Sequence, residues 1–212
     1  MTRSRIRLTA AALLAAALIL VAGVFLGART VRGEAPPATT SAEAGFARDM
    51  QVHHNQAVDM SFTVRDRGES DAVKTLAYDI ARSQQQQAGQ MFGWLEVWGL
   101  PQAPAEPSMT WMSRPALAGG GMAMDHGGGG AVPAVMPGFA SADDLARLAR
   151  LSGTAEDRLY LRLMIAHHRG GIEMAQAVLD RSTNPQVTAL ARSMIVTQES
   201  DIRAMRALQR AA

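Results

Sequence analysis

Shifted by 114 residues, the sequence falls on itself without a gap. Arg48, Met50, His53, His54, Met60, Val64, Asp66 and Arg67 meet Arg162, Met164, His167, His168, Met174, Val178, Asp180 and Arg181. The register holds further on, where Val73, Leu76, Ala77, Gln84 and Met91 meet Val187, Leu190, Ala191, Gln198 and Met205. Thirteen identities over 49 positions mean that one supersecondary unit is used twice. Each unit carries the period and the end signals of a helical hairpin. The first helix is expected from about Gly45 to Arg67, after a Thr40-x-x-Glu43 capping box, with a stop at Gly68. The second runs from Ser70 to Gly99. Thr154-x-x-Asp157 opens the third, which reaches about Arg181, and Asn184-Pro185 opens the fourth. No segment alternates with a period of two, so no strand is expected.

Two hairpins related in this way predict an all-α fold, a four-helix bundle with pseudo-two-fold symmetry. The long connection between them matches the crossover of ferritin-like bundles. That connection, residues 100–153, is rich in Pro, Gly and Met, and only Ser141–Leu151 within it reads as a short capped helix. The hairpins span 44–99 and 154–210 within a bundle domain of 44–212, with a spacer at 30–43.

Arg3, Arg5 and Arg7 precede an uncharged run of 21 residues from Leu8 to Ala28, and roughly 20 are needed to cross a bilayer. Residues 1–29 therefore read as a signal-anchor, a transmembrane helix with its arginines in the cytoplasm and the bundle outside, at the cell surface or in a periplasm. Cleavage would make the protein secreted, but Gly27-Ala28-Arg29 is a poor cleavage site. Beyond residue 30, 17 basic residues face 19 acidic ones, so the domain lacks the basic surface of a nucleic-acid binder. There is no Cys, which excludes disulfides, thiolate metal sites and thiol nucleophiles.

On a helical wheel, Met50, His53, His54 and Met60 lie within about 120° on the face that also carries Phe46 and Val64. Met164, His167, His168 and Met174 repeat this beside Tyr160 and Val178. A lone histidine on an apolar face is ordinarily a hydrogen-bonded core residue, and methionine at helical spacing is ordinarily core filling. Here four of five histidines form two pairs at equivalent places. Imidazoles with thioethers make a soft, neutral ligand set that suits copper best, Cu(I) above all, and zinc next. A di-iron centre would need Glu-x-x-His pairs, and the chain has none. Asp59 and Glu173 fall on the opposite side of the wheel. Gln84, Gln198 and Asp201 lie toward the core and are expected to orient the imidazoles; Gln87 is the repeat counterpart of Asp201. Met122, Met124 and His126, in a glycine-flanked part of the connection, form a candidate second metal site, with Met136 as a further thioether. No phosphate loop, nucleophile elbow or zinc-protease motif occurs, and no catalytic residue is assigned.

Met50-x-x-His53-His54-x-x-x-x-Asp59-Met60, its counterpart from Met164 to Met174, and Gln198-x-x-Asp201-Ile202-x-x-Met205 resemble the pattern of a bacterial family, domain of unknown function 305, over about residues 44–210. The resemblance implies a ferritin-like bundle that is exported or membrane-anchored. It also implies copper binding, since some cyanobacterial relatives are periplasmic copper-binding proteins. The Met-Asp-His run at 124–126 looks like the family's Met/His-rich connection, although copper-handling relatives tend to carry several histidines there. The first hairpin departs from the pattern, with Gln87 and Ala88 in place of Asp201 and Ile202.

The expectation is a membrane-tethered protein that sequesters or passes on copper. His53, His54, His167 and His168 are its candidate ligands, with Met50, Met60, Met164 and Met174 as auxiliary thioethers. Adjacent histidines diverge by about 100° on a helix, so each pair is expected to offer one ligand to a shared site, or the pairs to form two sites. The alternatives are a bundle whose His/Met interior is simply packed, and a copper or haem oxidoreductase. The metal's oxidation state, the oligomer and any protein partner are not legible.

Overall fold

A computed structural model describes residues 17–23, 35–117, 132–133 and 135–211. The chain divides into two compact units, residues 1–36 and 37–212. In the first, residues 17–23 are helical and exposed. No helix among the described residues is long and apolar enough to cross a membrane. The rest of the expected span from Leu8 to Ala28 lies outside the described residues, as do Met122, Met124 and His126.

The second unit is all-helical, with no strand among its described residues. Helix α1 spans Ala42–Arg67, and its cap is Ser41, whose hydroxyl accepts from the Ala44 N–H, one residue later than the expected Thr40. Helix α2 spans Asp71–Val97, capped by Ser70. The connection then forms a single 3₁₀ turn, Thr110–Ser113, and a short helix α3, Ala142–Arg150, capped by Ser141. Helix α4 spans Gly153–Leu179, and α5 spans Pro185–Ala211 with Asn184 accepting from the Gln186 and Val187 amides.

The Thr154-x-x-Asp157 box does not form at the start of α4. Thr154 instead donates to Glu69, and Asp157 accepts from the Glu69 and Ser70 amides. Both residues tie the start of α4 to the α1–α2 turn, a tertiary use of side chains that sequence spacing presents as a local cap. Without that cap, α4 starts at Gly153 in the left-handed region (φ +64°).

Packing follows the repeat. α1 lies against α2 and α4 against α5, and α1 meets α4 across the middle. One core joins the N-terminal half of α1, the C-terminal halves of α2 and α4, and the N-terminal half of α5. The other joins the opposite halves. Helices α1 and α4 are therefore antiparallel, and α2 and α4 parallel, which is why the connection must travel the length of the bundle.

That connection is fastened to both cores. On the way out, Met109 and Trp111 enter the first core. Buried Asp49 accepts from the Met109 amide at 2.7 Å and from Trp111 Nε1 at 2.9 Å, and Phe46 meets the Trp111 ring edge-on at 5.8 Å. Gly45 makes room, since a Cβ there would lie 2.6 Å from the indole. Arg48 binds the carbonyls of Pro101 and Thr39, while its repeat counterpart Arg162 is exposed. On the way back, Ala140 and α3 cover the second core. Asp49→Ala leaves two buried donors unpaired, and each such group costs roughly 1–3 kcal/mol. Urea unfolding followed by tryptophan fluorescence is expected to show a loss of about 3 kcal/mol, with the two helical hairpins retained by circular dichroism.

Candidate metal centre

The pseudo-two-fold crossing of α1 and α4 places all four histidines in one layer between the two cores, each with no exposed surface. His53 and His167 stack at the centre, ring centroids 3.7 Å apart with planes inclined by 31°. His54 and His168 instead reach residues of α2 and α5, each with its ring centre 6.4 Å from that of its neighbour. Adjacent histidines thus diverge as helix geometry requires, and the inner member of each pair meets its repeat partner.

Three of the four rings are anchored through Nε2. His53 donates to the Pro137 carbonyl at 3.1 Å, His54 to Gln87 Oε1 at 2.8 Å, and His168 to Asp201 Oδ2 at 3.2 Å. Oxygen can only accept in these pairs, so Nε2 carries a proton in each, and in His53 and His54, which burial keeps neutral, the lone pair lies on Nδ1. In His53, His54 and His168 that Nδ1 is buried without a partner, and in His167 neither nitrogen has one. Burial pushes the His53 imidazole down to about 4 and His54 down to about 3, where His53 adds its own effect. Burial, with His53, His168 and His54 behind it, drives His167 well below the usual imidazole range. At neutral pH these three rings are neutral donors.

Gln84 and Gln198 make no hydrogen bond to an imidazole. Gln84 Oε1 and both polar atoms of Gln198 are buried and unpartnered. Gln198 instead lies against α4 at Gly171, where a Cβ would come within 2.4 Å of its Oε1. Gln87 takes the place on His54 that Asp201 takes on His168. The repeat register pointed to this equivalence, because Gln87 and Asp201 are 114 residues apart.

The connection supplies residues that no periodicity marks. Pro137 seats its carbonyl on His53, and Phe139 lies 6.2 Å from His53 and 6.4 Å from His167. Gln56 holds this cover by exchanging two hydrogen bonds with the Ala140 backbone, at 2.7 and 3.0 Å. Gly138 is in the left-handed region (φ +70°), and a Cβ on Gly170 would lie 1.9 Å from the Pro137 oxygen. A Gly-Pro-rich connection is thereby read as a fitted lid only once the helices are in place.

The methionines divide between the two cores. Met50 and Met174 belong to the first, and Met60 and Met164 to the second. All four are buried, but they flank the imidazole layer on opposite sides rather than converging on one point. Among the described residues, no three His, Asp or Glu side chains come together as a metal-binding group. The arrangement suits at most one or two imidazole nitrogens per ion, completed by thioethers, a low coordination number typical of a soft ion. Asp59 and Glu173 are exposed.

A family model, Domain of unknown function (DUF305), matches residues 43–209. The chain belongs to the DUF305 family. Its fold is similar to that of a candidate secreted DUF305 protein from Streptomyces coelicolor, 44% identical over 81% of this chain and 92% of that one, with a TM-score of 0.69. A DUF305 fragment from Deinococcus radiodurans is 34% identical over 83% of this chain and all of that one, with a TM-score of 0.64. CopM in its Cu(I)-bound form is 24% identical over 81% of this chain and 96% of that one, with a TM-score of 0.56. At that identity the likeness to CopM is one of fold. No curated protein matches the chain.

The neutral imidazoles of this DUF305 bundle link its stability to pH. His53, His54 and His167 take up protons at about pH 6.5 when unfolded but only at much lower pH when folded. The unfolded state therefore binds more protons below pH 6.5, and stability falls as pH falls from there toward 4. Each group contributes up to about 1.4 kcal/mol per pH unit in that window. Denaturant midpoints of the metal-free protein are expected to drop steeply between pH 7 and 5. A flat profile would mean that the rings are not buried neutral.

Proposed function

We propose that this DUF305 protein is an extracytoplasmic copper-binding protein that sequesters or transfers Cu(I) through its buried histidine layer. One observation carries the reading. Three imidazoles have Nε2 fixed by an oxygen acceptor while Nδ1 is left without a partner in the protein interior. Metal-ligating histidines are held in this manner, with the second nitrogen donating to a carbonyl or carboxylate that sets tautomer and ring orientation. An imidazole that serves only as core packing gains nothing from a bare acceptor, which costs roughly 1–3 kcal/mol.

His53, His54, His167 and His168 are the proposed ligands, and Met50, Met60, Met164 and Met174 supply thioethers from either side of the layer. Asp201, Gln87 and the Pro137 carbonyl orient the rings. A ligand set of neutral nitrogen and sulfur, with its one carboxylate engaged on His168, favours Cu(I) over zinc. The Cu(I)- and Cu(II)-bound forms of CopM, a protein of similar fold, support the choice of metal. The similarity to the candidate secreted protein supports export. The basic, apolar N-terminal segment of residues 1–29 supports a membrane tether with the bundle outside the cytoplasm. The absence of three converging His, Asp or Glu side chains among the described residues favours a second reading, a packed bundle without metal.

Competitive titration with Cu(I), Cu(II) and Zn(II) separates the two, using the full chain in mild detergent. A variant with all four histidines changed to Ala, with its fold checked by circular dichroism, is expected to lose Cu(I) affinity by about 100-fold or more. Asp201→Asn is expected to lose about 10-fold, in line with other residues that orient metal-bound imidazoles. An unchanged number of tightly bound Cu(I) ions in the folded histidine-free variant would overturn the histidine site, and no Cu(I) binding by either protein would favour the packed bundle.

A further inference from the structure

The repeat places three buried methionines on each side of the histidine layer, one each from α1, α4 and the outer helix of a hairpin. Met60, Met164 and Met205 lie in one core, and Met50, Met91 and Met174 in the other. Among the described residues, only the second set is enlarged. Buried Met109 and Met194 join it, and the partly buried Met112 and Met136 pack against the same core. Three of these four additions, Met109, Met112 and Met136, come from the connection and have no counterpart in the repeat.

Met109 is the one non-glycine residue with positive φ among the described residues (φ 69°, ψ −3°). A left-handed methionine persists only where its surroundings impose it. Here the imposition is visible, since its own amide is bound by Asp49, the residue before Met50. From the other side, Met136 precedes Pro137, whose carbonyl sits on His53, one helical turn from Met50. The outgoing and returning parts of the connection are thus both fixed by polar contacts that bracket Met50. Met112 and Met136, being only partly buried, connect this cluster to the surface.

We propose that the connection-capped end of the bundle is a second, histidine-free site for a soft monovalent cation, Cu(I) or Ag(I), held by the thioethers of Met109, Met112 and Met136 against Met50. Thioethers prefer such ions over Zn(II) and Cu(II). With Met50 one turn from His53, this site adjoins the histidine layer, yet its occupancy does not require that layer to bind metal.

The test uses the full chain in mild detergent, with Met122→Leu, Met124→Leu and His126→Ala throughout so that this segment contributes no ligand. Anaerobic Cu(I) titration against a chromophoric competitor is combined with X-ray absorption at the copper edge. A variant with His53, His54, His167 and His168 changed to Ala is expected to retain one Cu(I) with a sulfur-only shell. Adding Met109→Leu, Met112→Leu and Met136→Leu, which nearly conserve core volume, is expected to weaken that equivalent at least 10-fold. If the left-handed site rejects Leu and the protein unfolds, Met112→Leu with Met136→Leu gives the same reading. Unchanged affinity in either folded methionine variant, or a histidine-free protein that binds no Cu(I), would overturn the site. Failure of the histidine reading is seen separately, as metal stoichiometry that does not change when the four histidines alone are removed.

Discussion

The contact between His53 and His167 sets the conditions for the rest of the bundle. Two imidazoles at 3.7 Å, with no exposed surface, are compatible only with neutral rings. Neutral rings in an apolar layer need something to hold their tautomers, and the surrounding elements are arranged around that need. Helix α2 provides Gln87, helix α5 provides Asp201, and the connection provides the Pro137 carbonyl. His167 alone has no such partner. The imidazoles are therefore enclosed above and below by apolar cores that hold most of the described methionines.

Duplication explains the symmetry of this layer, and the connection explains its asymmetry. Helix positions repeated at 114 residues keep their apolar and imidazole character, because both halves pack against the same axis. The polar partners have diverged, with amide in one half and carboxylate in the other. Arg48 is buried against Thr39 and Pro101, whereas Arg162 faces solvent. The connection crosses the bundle once, so it meets the two repeats differently. It fastens to Asp49, whose repeat equivalent is Leu163, and meets the equivalent positions Gln56 and Gly170 in different ways, by hydrogen bonds to Ala140 at one and by close backbone approach of Pro137 at the other.

The same distinction decides what was legible in the sequence. The helix pairs, their antiparallel arrangement and the inward histidines follow from period and repeat, since a buried stripe at 3.6 residues leaves few alternatives. Ser70 and Asn184 were readable as caps because they act locally. Thr154 and Asp157 were not, because the same side-chain oxygens had a stronger use across 85 residues or more of chain. Grouping all four methionines with the histidines left their division between two cores unread, for a related reason. A wheel gives the angle of a residue around a helix but not its height along the bundle, and antiparallel α1 and α4 pair Met50 with Met174 and Met60 with Met164. Pro137 and Phe139 carried no signal, since a carbonyl has no side-chain identity and a Gly-Pro-rich stretch has no period.

On the proposed reading, selectivity would follow from what the interior withholds as much as from what it offers. Hard divalent ions seek several oxygen ligands and tolerate water, and the layer presents one carboxylate, already engaged with His168. Zinc in a structural site takes four ligands in tetrahedral array, while the inner imidazoles here lie ring against ring, their planes inclined by 31°, rather than fanned around a point. An ion content with two or three neutral donors escapes both demands. On the proposed reading, the bundle therefore needs no preformed cage. His167, whose ring nitrogens have no partner, and the Nδ1 of His53 beside it would supply the nitrogens, with a thioether from the adjoining core, beneath the cover of Pro137 and Phe139.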